Sequence, residues 1–172
     1  MQIRPAEAED YAAIEDLLDL AFDGREESTL VKALRDDEAD SLELVAENHG
    51  KIVGTIMFSP VSAHRDGEAC AFGLGLGPLA VLPKYQRQGV GQALAEAGLN
   101  FIRTIGAPWC VVLGDPEYYS KLEFKPGPET GWYWSGDPKG LLGNAFQVLS
   151  LRPPLPTPGP FLLHYHRAFT PS

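Results

Sequence analysis

Residues 79–98, LAVLPKYQRQGVGQALAEAG, constrain the fold more than any other part of the chain. An apolar run ends at Pro83, and a polar turn with glycines at 89 and 91 follows. Val90, Ala93, Leu94, Ala97, Phe101, Ile102 and Ile105 then recur at helical spacing. This predicts a strand, a glycine-rich turn and an amphipathic helix, which Gly106 ends and Pro108 bars from continuing. Such a junction aims free backbone N–H groups and the positive end of the helix dipole at one spot, where phosphate binds. Glycine lets a ligand come close to the backbone there. An ordinary strand-to-helix turn fits the same outline, so the spacing inside the turn has to discriminate. A Walker A loop needs Lys and then Ser/Thr after its last glycine, but Gln92 and Ala93 follow here. A dinucleotide fingerprint needs a third glycine, and position 94 is Leu. The pattern that remains is Gln-x-x-Gly-x-Gly at Gln86, Gly89 and Gly91.

The flanking sequence sets the order of elements. A short strand precedes a helix on which Tyr11, Ile14, Leu17, Leu18, Ala21 and Phe22 share a face. A second helix is expected over residues 26–35, with Leu30, Val31 and Leu34 on one side. Leu42, Leu44 and Ala46 alternate with Ser41, Glu43 and Glu47, the pattern of a half-buried strand. NHGK turns the chain into IVGTIMFSPVSA, and HRDGEA turns it again into CAFGLGLGPLAVL. The alternate glycines 73, 75 and 77 of that third strand predict a bulge or a close backbone approach. After the long helix, WCVVL is wholly apolar and should be a central strand buried on both faces. Asp115 and Pro116 read as N-cap and first residue of a short helix containing EYYSKL. FKPGPETGWYWSGDPKGLLGN reads as a long loop, AFQVLSL as a strand, RPPLPTPGP as a stiff connector and FLLHYHRAF as a final strand.

The chain's 172 residues suit one domain spanning 1–172 with a substantial core. No apolar run approaches a membrane span, and MQIRPAEAEDY has no signal-peptide core, so a cytoplasmic protein is expected. A net charge of −9 without a basic run argues against nucleic acid as a partner. The acid, concentrated before residue 48, reads as solvated helix faces or as attraction for a cationic substrate such as an amine. Both cysteines, Cys70 and Cys110, read as buried free thiols. His164 and His166 would share one face of a strand, but two ligands do not make a metal site, and no metal is expected.

Gln86-Arg87-Gln88-Gly89-Val90-Gly91, preceded by LAVLP and followed by the amphipathic helix, resembles the pyrophosphate loop of the GCN5-related N-acetyltransferase (GNAT) superfamily. The resemblance covers residues 3–124 well and extends to the order of elements. The ending HYHRAF resembles that of a bacterial YhbS-like branch. It implies an α/β (α+β) acyl-CoA N-acyltransferase fold, with a mixed, mostly antiparallel sheet splayed between the fourth and fifth strands and flanked by helices. It also implies acetyl-CoA as cosubstrate, CoA as product, and a primary amine of a small molecule or peptide as acceptor. In this family the pantetheine arm pairs with the fourth strand, here Leu79, Ala80 and Val81. The pyrophosphate would sit on the N–H groups of Arg87, Gln88, Gly89, Val90, Gly91 and Gln92. Many relatives dimerise, though no interface signature is visible in the sequence.

Transfer to an amine needs a proton for the leaving thiolate, and a tyrosine can supply it. YYSKLEF aligns with the family's tyrosine pattern, making Tyr119 the general-acid candidate and Tyr118 the neighbour expected to pack in the core. Glu123 stands where the family usually has glycine, and the helix before Tyr119 is shorter than usual. WCVVL carries no carboxylate, so no base stands out. Glu26, Glu27 and His64 are candidates for the acceptor pocket, and the aromatics of residues 131–136 either line it or anchor their loop. A non-catalytic acyl-CoA-binding module on the same fold is the alternative function.

Overall fold

The computed structural model describes residues 1–156 and 159–170, so Thr157 and Pro158 of the expected stiff connector lie outside the described residues. The chain runs β1 (Gln2–Pro5), α1 (Tyr11–Phe22), α2 (Glu26–Asp36), β2 (Leu42–Asn48), β3 (Lys51–Arg65), β4 (Glu68–Val81) and α3 (Val90–Thr104). It continues through β5 (Trp109–Leu113), α4 (Pro116–Ser120), β6 (Lys125–Pro126), β7 (Trp132–Trp134), β8 (Phe146–Ser150) and β9 (Phe161–Tyr165). The sheet order is β1-β2-β3-β4-β5-β8-β6; β9 pairs with the far half of β3 and with β7. Among the described residues only the β4–β5 and β7–β9 pairings are parallel. The mixed, mostly antiparallel sheet with flanking helices is the fold class expected from the sequence.

Each face of the sheet is covered by helices whose periodicity matches it. On one face α3 buries Val90, Leu94, Ala95, Leu99 and Ile102 against Leu44, Ile56 and Phe58. Each large aliphatic side chain so buried contributes about 1.5–3 kcal/mol. Phe101 and Ile105, expected on this face, are instead exposed at 45% and 59%. The buried stripe runs through 94, 95, 98, 99 and 102, and those two residues fall beside it. On the other face α1 and α2 place Ile14, Leu17, Leu18, Val31 and Leu34 against Val45, Met57 and Ala80.

Because helices cover both faces, β2 is buried on both sides over its first five residues, not half-buried as its alternation suggested. The residue that misled is Glu43, which is buried because Arg35 of α2 donates two hydrogen bonds to its carboxylate. That guanidinium also lies 3.7 Å from the Tyr11 ring centroid. The expected long loop likewise contains two short strands. Trp132–Trp134 pairs with β9 and Lys125–Pro126 with β8, burying Trp132 against Trp109 and Phe161. No helix among the described residues is long and apolar enough to cross a membrane.

Candidate active site

The glycine-rich turn folds as its residue types demand. Arg87 and Gly89 have φ of +60° and +85°, both in the left-handed region, and Val90 starts α3 directly afterwards. No side chain caps α3. The first helical backbone bond runs from Ala93 N–H to the Gly89 carbonyl. Among the described residues, the N–H groups of Arg87, Gln88, Gly89, Val90, Gly91 and Gln92 therefore have no backbone acceptor outside the helix, and no residue lies four before them inside it. A Cβ placed on Gly89 would meet nothing within 4 Å, so the space before these donors is open. Left-handed turns followed by a helix start form an anion-binding concavity. Gln86 has a different task, donating from Nε2 to the Val81 carbonyl at 2.9 Å and so clipping the turn to the end of β4.

Beside this turn the sheet opens. β4 and β5 pair only at Leu74–Cys110 and Gly75–Val111, and residues 76–81 have no strand on that side. The opening starts at a bulge. Ile56 pairs with Leu79 and Phe58 with Leu76, so β4 carries one extra residue at Gly77–Pro78. Leu82 N–H bonds the Val53 carbonyl of β3. By the alternation of an antiparallel ladder, Ala80 also turns its main chain toward β3, while Leu79 and Val81 present theirs to the open edge. Gly73 and Gly75 show why the alternate glycines are there. A Cβ on Gly73 would enter the Trp109 ring, and one on Gly75 would lie 2.6 Å from Tyr165 Cε1.

The opening holds a chamber of about 360 Å³. Its walls come from Phe22 of α1, Glu27 and Leu30 of α2, the β4 bulge, Leu113 of β5, Tyr119 of α4, Trp134 of β7, Tyr165 of β9 and Phe169. Tyr119 is held by packing: its ring lies 5.7 Å from Phe124 and 4.9 Å from Tyr118, and a Cβ on Gly114 would be 2.5 Å from it. The expected division between the two tyrosines is reversed in burial, because Tyr119 is 8% exposed whereas Tyr118 is only half-buried. The Tyr118 hydroxyl is nevertheless buried without a partner among the described residues, 2.9 Å from where a Gly91 Cβ would stand. Burial first, then Tyr118 and Cys110, raises the Tyr119 phenol above its ordinary range and keeps it protonated. Burial does the same to Tyr165, whose hydroxyl is enclosed with no partner among the described residues. Glu123 adopts φ +71°, the conformation glycine would favour, so the helix end after Tyr119 keeps that shape with a strained residue.

A family model described as Acetyltransferase (GNAT) family matches residues 11–118. The chain belongs to the GNAT acetyltransferase family. It is 38% identical to the uncharacterised N-acetyltransferase YhbS of Escherichia coli K12 over 117 residues, 67% of this chain and 68% of that protein. A GNAT family acetyltransferase from Brucella melitensis, solved with acetyl-CoA, superposes with a TM-score of 0.79 at 35% identity, covering 98% of this chain and 97% of its own. E. coli YhbS, solved with CoA, superposes at 0.83 with 31% identity, covering 99% and 92%.

Several candidate positions lie elsewhere. His64 is outside the chamber, on β3, where its ring stands 4.2 Å from His164 and its Nε2 contacts Ser62. His164 therefore faces His64, not His166; His166 caps the turn at Ala168 and lies 3.3 Å from Asp37. Cys70 is exposed, next to a register shift between Ala63 and His64, whereas Cys110 is buried as expected. Glu26 lies in an adjoining groove and Glu27 in both groove and chamber. Sequence reasoning missed Tyr165, Phe22 and Phe169. Gly75 was the available signal for Tyr165, since a strand glycine marks a close approach without saying by what.

Proposed function

We propose that this GNAT protein transfers an acetyl group from acetyl-CoA to a primary amine, with Tyr119 as general acid and the turn at residues 86–92 as the diphosphate cradle. The observation that carries the reading is that Tyr119 lines a chamber at the β4–β5 opening, while the turn that follows β4 leaves its N–H groups open. Acetyl-CoA, when bound, supplies an acetyl thioester already activated toward nitrogen. The N–H groups of residues 87–92 hold its diphosphate, with Arg87 adding positive charge. Leu79 and Val81 offer main-chain groups along the open edge, of which the Val81 carbonyl is already taken by Gln86. Ala80 contributes through its position between them. Glu27, the one carboxylate in the chamber, accepts a proton from the acceptor nitrogen. As the new C–N bond forms and the C–S bond breaks, Tyr119 Oη gives its proton to the departing sulfur. Burial of Tyr119 keeps that proton in place until then.

Thermal denaturation with CoA, followed by amine-dependent thiol release, tests this. CoA at about 100 times its Kd stabilises the fold by about 2.7 kcal/mol, a rise of roughly 5–11 °C for a chain of this size. The absence of any shift refutes the cofactor assignment. A shift without thiol release across a broad amine panel leaves the binding module as the function.

A further inference from the structure

The chamber is selective in its chemistry as well as its position. Of its lining residues, Glu27 alone is a carboxylate or a cation, and it forms no ion pair or hydrogen bond among the described residues. The remaining walls are leucines, Pro78, Gly77 and the aromatic rings of Phe22, Trp134 and Phe169, with the two phenols. At about 360 Å³ it lies at the small end of small-molecule sites, which span roughly 300–1,000 Å³. Glu27, Leu30 and Phe169 also border a groove of about 620 Å³ along α2, which adds Arg25 and Glu26.

Resting on the acetyltransferase reading above, we propose that the acceptor is a singly charged primary amine on a compact aromatic or branched aliphatic stem. Glu27 is the counter-ion of its ammonium, which releases one proton to solvent before the nitrogen attacks and a second to Glu27 as the amide forms. The aromatic walls favour both parts of such a molecule, because ring faces attract an ammonium and bury an apolar stem. A polyamine fits poorly. Its second ammonium would meet apolar wall inside the chamber. An extended peptide would bring main-chain amides against walls that carry few polar groups.

The test measures acetylation of 2-phenylethylamine, isopentylamine, spermidine and a lysine-containing peptide, together with calorimetric binding of 2-phenylethylamine to the CoA-saturated protein. The two compact amines should have kcat/KM at least tenfold above spermidine and the peptide. Glu27→Gln should weaken 2-phenylethylamine binding tenfold or more while CoA affinity stays within twofold, and Glu27→Asp should recover part of the loss. Glu27 is only half-buried and unpaired, so the melting temperature of both variants should match the parent. Preference for spermidine or the peptide, or unchanged amine binding in Glu27→Gln, overturns the assignment of acceptor class while leaving acetyl transfer standing. Failure to bind CoA overturns both.

Discussion

Gly89→Ala separates the two reasons for a glycine in the turn. At φ +85° an L-residue pays a backbone cost of about 1–2 kcal/mol. Gly67 has φ +80°, and a Cβ there, as at Gly89, would meet nothing within 4 Å. It stands in the β3–β4 turn, at the other end of β4 from the glycine-rich turn, roughly 40 Å away by strand rise. Gly67→Ala should therefore carry the strain alone. Each variant should lose roughly 2–8 °C in melting temperature, with Gly89→Ala at the larger end because alanine is also a poor N-cap. Only Gly89→Ala puts a methyl group into the open space before the N–H groups. The loss of one charge-assisted hydrogen bond is worth about 1.5–3 kcal/mol, which is about ten- to a hundredfold in CoA affinity. Isothermal calorimetry of both variants against CoA reads this directly. Equal CoA affinity in the two variants, after both show the melting loss, would refute the placement of the diphosphate at this turn.

Tyr119→Phe keeps the ring packed over Gly114 and Phe124 and removes only the proton donor, so turnover should fall about 10²–10⁴-fold with CoA affinity nearly unchanged. Unchanged turnover, in single-turnover experiments that isolate the chemical step, demotes it to a packing residue. The two buried phenols also make a pH prediction. Their pKa values are raised in the fold, so the stability they contribute is complete below the ordinary phenol pKa of about 10 and is lost as pH rises above it. Melting curves between pH 8 and 11 should show an alkaline fall that is shallower in Tyr165→Phe; identical slopes would count against it. Gly98→Ala gains about 1 kcal/mol of helix propensity but drives a Cβ into the fully buried Phe58 ring, where overpacking costs about 1–3 kcal/mol. Urea denaturation should show a net loss of up to about 2 kcal/mol, and a stabilised variant would mean that Phe58 moves aside freely.

Much of the fold was legible because its strongest signals are local. WCVVL could only be a doubly buried strand, and the 3.6-residue period located α3. The glycines at 73 and 75 announced close approaches that Trp109 and Tyr165 supply. The misreadings have a common physical origin, in side chains whose environment is decided by a distant partner. Glu43 looked solvated because its sequence neighbours do not include Arg35, which neutralises it inside the core. Phe101 and Ile105 looked buried because periodicity gives a stripe but not its width.

The same contrast divides the candidate site. Main-chain groups of one contiguous turn make the proposed anion cradle, and a few residue types at fixed spacing are enough to mark it. The chamber is made by side chains from α1, α2, β4, β5, α4, β7, β9 and the turn after β9, converging where β4 and β5 part. No periodicity links Phe22 to Trp134 or Glu27 to Tyr165, and each alone reads as surface or core. This separation also allows independent change. A substitution at Glu27 or Trp134 can alter which amine fits without disturbing Gly89 or Gln86. A change in the turn should, on the proposed placement of the diphosphate, weaken the donor for every acceptor alike. On the proposed function, the sequence of the turn therefore carries the reaction class, and acceptor preference resides in a set of walls that only the folded chain assembles.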